Sequence, residues 1–218
     1  MGRVIAIDGP SGAGKTTIAR LLAKKLGFDY LDTGALYRAT ALALINNGIK
    51  PEDSDDKLRD VFSKNQIAFN NGRVFLNGKD VSEDIRSAEI DHYSSVFSAR
   101  KIVRNFLLHA QRDTALNSDL VVEGRDTTTV VFPDARKKIY LDASIEERAK
   151  RRYLQFREKG IDLSLDESEK KVMERDIRDA SRDIAPLKMA SGALLVDSSN
   201  LPAEQVLKKI LDFIRTDL

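Results

Sequence analysis

The feature that most constrains the fold is a glycine-rich segment, GPSGAGKT, which occupies residues 9–16. It matches the pattern G-x-x-x-x-G-K-[ST], in which glycines let the backbone turn tightly and successive N–H groups point into one anion-sized hollow. A short apolar run precedes the segment, and apolar residues at helical spacing follow it as far as Gly27. A strand before and a helix after are the context that this motif requires. The segment therefore predicts a phosphate-binding loop rather than a chance glycine-rich turn.

The chemistry of this loop follows from its last two residues. A helix that begins near Lys15 directs the positive end of its dipole at the bound anion. The Lys15 ammonium is placed to bridge β- and γ-phosphates, and the Thr16 hydroxyl to bind Mg²⁺. The motif predicts nucleotide-phosphate binding but leaves a GTPase, a motor, a regulatory ATPase and a small-molecule kinase all open.

The rest of the chain alternates between strand-like and helical patterns, which predicts a parallel sheet covered by helices. One stretch differs, since two Asn-Gly pairs between short apolar runs predict a small antiparallel meander over residues 67–81. We read about residues 60–90 as an insertion into the α/β unit. The remaining predicted elements are strands at 3–8, 120–123, 138–141 and 193–196, a helix at 34–47 and a final helix after Pro202.

The amino-acid composition limits the classes of function that this chain can have. The 36 Lys and Arg residues nearly balance the 34 Asp and Glu residues, so the net charge of +2 gives little support to a dedicated nucleic-acid binder. The chain has no cysteine, which excludes disulfides, thiolate metal sites and a cysteine nucleophile. Its two histidines are too few for a metal site built from histidines. No apolar run approaches the length that spans a bilayer. We expect a cytoplasmic protein without a membrane or nucleic-acid partner.

Arginines beyond residue 100 favour a kinase. No Asn-Lys-x-Asp segment for reading guanine occurs, and arginine forks suit the binding of several phosphate oxygens at once. Arg175, Asp179 and Arg182 lie at i, i+4 and i+7, which would place them on one helix face. A second group on a predicted helix comprises Arg148, Arg151 and Arg152. The alternative is that both groups are solvated faces with weak ion pairs.

An ordered set of motifs carries a resemblance over nearly the whole length. These are IDGPSGAGKTT, LDTGALYRA, Ser95 followed by Val103-Arg104, EGRDTTTVVFPDA, KIYLDAS, ERDIRDASRDIAPL and the terminal VDSS. On these motifs the chain resembles bacterial cytidylate kinases of the nucleoside monophosphate kinase group. The resemblance implies an α/β P-loop NTPase-type sheet flanked by helices, a small antiparallel insertion and a helical lid. It implies transfer of a phosphoryl group from ATP with Mg²⁺ to CMP or dCMP, without a covalent intermediate.

The resemblance also implies domain bounds. The chain would be one P-loop kinase domain, 1–218, with a core at 1–35, 115–145 and 185–218. An acceptor-binding region with the insertion would cover about 36–112, and the lid about 146–165. We expect a monomer.

The resemblance implies a role for each residue of this chain that matches a motif position. The catalytic set is Lys15, Arg125, Arg151, Arg152 and Arg182. The ATP-binding set is Gly9, Pro10, Ser11, Gly12, Ala13, Gly14, Lys15, Thr16 and Thr17. The acceptor-binding set is Thr33, Tyr37, Arg38, Ser95, Arg104, Arg125, Asp126, Arg175, Asp179 and Arg182. Thr16 would bind the metal directly, and Glu123 through water unless it is an exposed strand-end acid.

Base choice would depend on Ser95, Arg104 and Asp126. A carboxylate accepts a hydrogen bond from the cytosine N4 amino group, whereas uracil would present an oxygen to it. One departure concerns this region: the family commonly has an apolar residue and glycine after Gly-Arg-Asp, where this chain has Thr127-Thr128. The alternatives are a kinase for UMP, AMP or a non-nucleotide alcohol, and a nucleotide-dependent binding protein associated with RNA.

Overall fold

The computed structural model describes residues 2–70, 72–158 and 160–215. Asn71 in a predicted turn, Lys159 in the predicted lid, and the terminal residues Met1 and 216–218 lie outside the described residues. The strands are β1 Val4–Asp8, β2 Asp29–Asp32, β3 Ile67–Asn70, β4 Arg73–Leu76, β5 Lys79–Asp80, β6 Leu120–Gly124, β7 Lys137–Asp142 and β8 Leu194–Asp197. The helices are α1 Lys15–Leu26, α2 Thr33–Asn46, α3 Asp55–Lys64, α4 Ala88–Phe97, α5 Lys101–Asp113, α6 Ile145–Glu158, α7 Leu165–Ser181 and α8 Ala203–Arg215.

The main sheet has parallel strands in the order β2-β6-β1-β7-β8. Its register pairs Asp32 with Glu123 and Asp8 with Gly124, so these strands end together. The carboxyl edge of the sheet therefore brings the acids Asp8, Asp32 and Glu123 next to the loop that follows β1. This is the edge at which open α/β sheets bind ligands.

Both faces of the sheet are covered by helices. Along β1, Val4 and Ala6 pack into a cluster with α2, whereas Ile5 and Ile7 pack into a cluster with α1 and α8. Successive side chains of a strand point to opposite faces, so a continuously apolar strand indicates burial on both sides. The predicted parallel α/β sheet is confirmed.

The predicted meander is also confirmed. β3, β4 and β5 form a small antiparallel sheet, whose Val74 is buried against the α2 side of the core. Asn77 and Gly78 join β4 to β5 with φ of 53° and 79°. Positive φ at both positions is the geometry that favours an Asn-Gly turn.

Helices α6 and α7 pack against each other as a helical hairpin. Ser164 and Glu167 form a capping box at the start of α7, which explains the sharp start of that helix. The predicted lid, about 146–165, covers most of α6 and the connection to α7. In the ranges that the structure describes, no helix combines the length and apolar character that crossing a membrane requires.

Candidate active site

A cleft of about 580 Å³ opens at the carboxyl edge of the main sheet, between the loop after β1, the helices α2 and α4, and the α6–α7 hairpin. It is lined by every predicted site residue except Gly9 and Pro10, which lie in the same loop. The structure therefore brings the predicted donor, acceptor and lid residues together. The role of each residue stays a prediction.

Glycines in the loop are required by its shape. Gly9 and Gly12 have φ of 152° and 81°. A Cβ at Gly9 would lie 1.9 Å from the Leu141 carbonyl oxygen, so no side chain fits there. The loop ends at Gly14, which caps α1 in the left-handed conformation, with φ of 90°. Backbone N–H groups at this helix start are the anion-binding groups that the motif predicts.

Lys15 folds back over this loop. Its ammonium donates a hydrogen bond of 2.7 Å to the Pro10 carbonyl, and only 5% of the residue is exposed. Burial, followed by repulsion from Arg125, lowers the pKa of Lys15 well below its ordinary value. A nearby phosphate would supply the negative charge that this buried cation needs.

Glu123 is a buried acid and not an exposed strand end. It accepts a hydrogen bond of 2.7 Å from the Tyr30 hydroxyl, and the Thr16 side chain lies beside it and lowers its pKa. Burial and the charge of Asp32 raise the pKa of Glu123. Oxygen donors of this kind, one hydroxyl and one carboxylate beside a phosphate loop, fit the ligand preference of Mg²⁺.

A clamp built by Asp8, Thr127 and Thr128 joins the phosphate loop to the turn after β6. The Asp8 carboxylate accepts from the Thr127 N–H and hydroxyl at 2.9 and 2.7 Å, and from the Thr128 N–H and hydroxyl at 2.7 and 2.6 Å. Neither threonine has a positive φ, so the departure from a family glycine needs no strained backbone. No sequence pattern predicted this clamp, because Asp8 and Thr127 are 119 positions apart.

Acceptor-side arginines surround Asp179. Its carboxylate accepts from Arg125 Nε at 2.9 Å and lies 3.9 Å from Arg175 Nε and 3.7 Å from Arg182 Nη1. The prediction that Arg182 shares a helix face with Arg175 and Asp179 is not met. Helix α7 ends at Ser181, and Arg182 has an extended backbone, with φ of −61° and ψ of 135°. The extended residue still turns its guanidinium to the same carboxylate.

Several guanidinium nitrogens of this cluster are buried without a hydrogen-bond partner among the described residues. They are Arg38 Nη1, Arg175 Nε, Arg182 Nε and Arg182 Nη2. The Nη1 of Arg38 lies 3.9 Å from an Asp32 oxygen, which is too far for a hydrogen bond. Buried unpaired donors are costly, and phosphate oxygens are the acceptors that would satisfy several of them at once.

The predicted base-reading residues form a second buried group. The Arg104 guanidinium pairs with the Asp126 carboxylate, donates to the Ser98 carbonyl at 3.1 Å, and lies over the Tyr37 ring at 5.4 Å. Burial raises the pKa of Tyr37 to about 12. Ser95 does not contact this pair in the contacts described; its hydroxyl accepts from Arg178 Nε at 3.3 Å.

The three lid arginines have different environments. Arg148 is buried under the loop and donates to the Ala143 and Ser11 carbonyls, so its position is structural. Arg151 donates to the Gly12 carbonyl at 3.3 Å and to the Ser198 carbonyl at 2.8 Å. Arg152 instead points towards the predicted acceptor-binding residues and donates to Asp91 at 2.8 Å.

Asp91, on α4, is a cleft-side residue that sequence reasoning missed. It accepts from Arg152, from Arg175 at 2.8 Å and from Arg38 at 3.4 Å. Burial alone would raise the pKa of Asp91, but Arg175, Arg38 and Arg152 outweigh burial and lower it far below the usual range. A lone acid on a helix carries no sequence signal that would reveal partners on three other helices.

Comparison with known proteins decides the family. The family model described as Cytidylate kinase matches residues 5–216. The chain belongs to the cytidylate kinase family. A cytidylate kinase from Thermosipho melanesiensis is 47% identical over 211 residues, covering 97% of this chain and 96% of the relative. One from Geobacter sulfurreducens is 48% identical over 218 residues, covering 98% and 93%.

Membership in the cytidylate kinase family makes the chain a nucleoside monophosphate kinase, which phosphorylates CMP or dCMP with ATP. A solved structure of a Thermus thermophilus protein has a TM-score of 0.51 at 18% identity and covers 100% of this chain and 98% of its own. That likeness concerns the fold alone. It agrees with the parallel sheet and flanking helices described above.

Proposed function

We propose that the cleft performs a direct, in-line transfer in which an oxygen of the CMP or dCMP phosphate attacks the γ-phosphorus of ATP. A new O–P bond forms while the bond to the β,γ-bridging oxygen breaks, and ADP leaves with CDP or dCDP. The observation that supports this mechanism is that Arg38, Arg125 and Arg182 line the same cleft as the phosphate loop. Two polyanions repel each other, so a transfer between them needs positive charge on both sides of the reacting phosphorus.

The donor half of the cleft binds ATP. Backbone N–H groups of residues 9–17 surround the β- and γ-phosphates, and Lys15 exchanges its bond with the Pro10 carbonyl for one with phosphate oxygens. Thr16 would hold Mg²⁺ through its hydroxyl, and Glu123 would order a water beside it. A bound Mg²⁺ would supply positive charge that offsets the charge of the β- and γ-phosphates. The position of Thr16 and Glu123 in the same cleft, with the Thr16 side chain beside the Glu123 carboxylate, supports this assignment.

The acceptor half holds the monophosphate. Arg38, Arg125 and Arg182 bind its oxygens, while Arg175 and Asp179 position the ribose or deoxyribose and the phosphate. The buried, unpaired nitrogens of Arg38, Arg175 and Arg182 support this role, since they are several donors on residues that line one cleft. Thr33 donates to the Glu123 carbonyl at 2.7 Å and fixes the start of α2, which carries Tyr37 and Arg38.

Asp126 selects cytosine by accepting from the N4 amino group, and Arg104 donates to the acceptor edge of the base. Their mutual ion pair supports the assignment because each fixes the orientation of the other. The lid arginines Arg151 and Arg152 complete the charge around the transferring phosphoryl group, and closure of the lid keeps water away from it. No side chain has to form a covalent intermediate.

The test is ADP release from MgATP across CMP, dCMP, UMP and AMP, with the wild type and the Asp126→Ala variant. We expect wild-type turnover with CMP and dCMP to exceed that with UMP. In Asp126→Ala the CMP/UMP ratio of kcat/KM should fall by roughly 10- to 100-fold, since one good hydrogen-bonded pair is worth about 1–3 kcal/mol of base discrimination.

The KM for ATP provides the internal control, because the Asp126 carboxylate pairs with Arg104 on α5 and has no described contact with the phosphate loop. An unchanged CMP/UMP ratio would contradict the base-reading role. Slow ATP turnover that ignores every monophosphate, together with salt-sensitive RNA binding, would instead favour the alternative of a nucleotide-dependent binding protein.

A further inference from the structure

We propose that Asp91 is a positioning residue that holds the lid over the acceptor half of the cleft by binding Arg38, Arg152 and Arg175 at one carboxylate. This inference rests on the function proposed above for those three arginines. It adds an acid that neither the motifs nor the family description points to. Asp91 lies on α4, whereas its three partners come from α2, α6 and α7.

The geometry makes Asp91 the junction of four helices. Its Oδ1 accepts from Arg175 Nη1 at 2.8 Å and from Arg38 Nε at 3.4 Å, and its Oδ2 accepts from Arg152 Nη2 at 2.8 Å. Only 20% of the Asp91 side chain is exposed, and the three arginine side chains are 15–22% exposed. Partial burial reduces screening by water, so these ion pairs act more strongly than pairs on an open surface.

The positive charges around Arg152 explain why an acid is needed at position 91. Burial lowers the pKa of Arg152, as does repulsion from Arg175, Arg38 and Arg125, whereas Asp91 raises it. Without Asp91, Arg152 would face three like charges, and it has no other ion-pair partner among the residues that the structure describes. An arginine whose partly buried charge has no partner lowers its energy by moving its guanidinium into solvent, so Arg152 would turn away from the cleft. Asp91 thus lets Arg152 approach the acceptor arginines before any nucleotide phosphate is bound.

The consequence is a specific kinetic signature. Asp91→Asn keeps the size of the side chain but removes its charge, so Arg152 and Arg38 lose their fixed orientation. Misplacing such groups by an ångström can cost about 100-fold in rate, and we expect kcat to fall by roughly 10- to 100-fold. The KM for ATP should stay close to the wild-type value, because Asp91 has no described contact with the phosphate loop. Asp91→Glu, which retains the charge, should recover most of kcat.

The control is Glu89→Gln, which removes a carboxylate from an exposed position on the same helix. It should leave kcat and both KM values unchanged. If Asp91→Asn and Glu89→Gln behave alike in kcat, the inference is wrong. If Asp91→Asn fails to fold, Asp91→Glu still tests the inference. Loss of activity in this folded variant, which retains the charge, would overturn the inference that Asp91 is a positioning residue.

A second readout does not depend on catalysis. The chain has no cysteine, so a Lys57→Cys, Arg157→Cys pair at two exposed positions on α3 and α6 accepts a donor and an acceptor dye. In nucleotide-free protein, Asp91→Asn should lower energy transfer between the dyes, and Glu89→Gln should not. Equal energy transfer in all variants would contradict the positioning role of Asp91. Failure of the proposed function would be seen separately, as wild-type protein that does not phosphorylate CMP.

Discussion

Two threonine hydroxyls determine how the turn after β6 is held against the phosphate loop. Asp8 is fully buried, and burial raises the pKa of its carboxyl, although Thr128 and Thr127 oppose that shift by hydrogen bonding to the charged form. Because Asp8 immediately precedes the loop and Thr127 immediately follows Asp126, the clamp fixes Asp126, the acid proposed to read the base, relative to the phosphate loop. A glycine at position 128 would lack the second hydroxyl.

We expect Thr128→Val to lower the free energy of unfolding by about 1.5–3 kcal/mol. Valine has nearly the same shape, so the change removes mainly a hydrogen bond to a charged group, and such bonds contribute about that much. Urea unfolding of the two proteins measures the difference. The matched control is Thr129→Val in the same turn, because the Thr129 hydroxyl reaches only the Asp126 carbonyl at 3.5 Å. Equal losses in both variants would show that the Asp8 clamp contributes nothing particular.

Residues with a role inside a local motif could be predicted from the sequence, and residues whose partners are distant in the chain could not. Lys15 and Thr16 follow from eight consecutive residues. Asp8 and Thr127 are 119 positions apart, and Arg152 and Asp91 are 61 apart. Such contacts depend on how helices pack, which residue spacing within one helix does not reveal.

At the scale of the element, α6 presents two successive arginines to two halves of the cleft. Neighbouring residues of a helix project about 100° apart. Arg151 consequently reaches the Gly12 and Ser198 carbonyls, and Arg152 reaches Asp91. The grouping of Arg148, Arg151 and Arg152 on one helix was predictable, but their division into a structural, a donor-side and an acceptor-side residue was not.

Arg151→Ala and Arg152→Ala should each reduce kcat by roughly 100-fold, the scale at which one donor to developing charge is lost. Their KM effects should differ: the KM for ATP rises more in Arg151→Ala, and the KM for CMP rises more in Arg152→Ala. Steady-state kinetics with each substrate varied in turn would measure both. Arg157→Ala, at an exposed position of α6, is the control and should be neutral. Normal turnover in both cleft variants would show that α6 is not a lid.

At the scale of the whole molecule, the edge of the main sheet, the helices α2 and α4 and the α6–α7 hairpin all contribute to one cleft. The alternation of strands and helices predicted the sheet, and the Asn-Gly pairs predicted the meander, because both patterns are local. The arrangement of α4 against α6 and α7 depends on ion pairs such as those of Asp91, which no periodicity encodes. The division into core, acceptor region and lid stays a prediction.

This arrangement predicts positive coupling between the two nucleotides. One helix contacts the phosphate loop through Arg151 and the acceptor arginines through Arg152 and Asp91. A nucleotide that orders α6 from one side removes part of the ordering cost for the other. Calorimetric titration of CMP should therefore give a Kd roughly 5- to 100-fold lower with a non-hydrolysable ATP analogue and Mg²⁺ present than without them. In Arg152→Ala this ratio should approach one, because the Arg152–Asp91 ion pair that links α6 to Arg38 and Arg175 is lost, whereas Arg157→Ala should retain it. An identical Kd with and without the analogue in the wild type would mean that the two halves of the cleft bind independently.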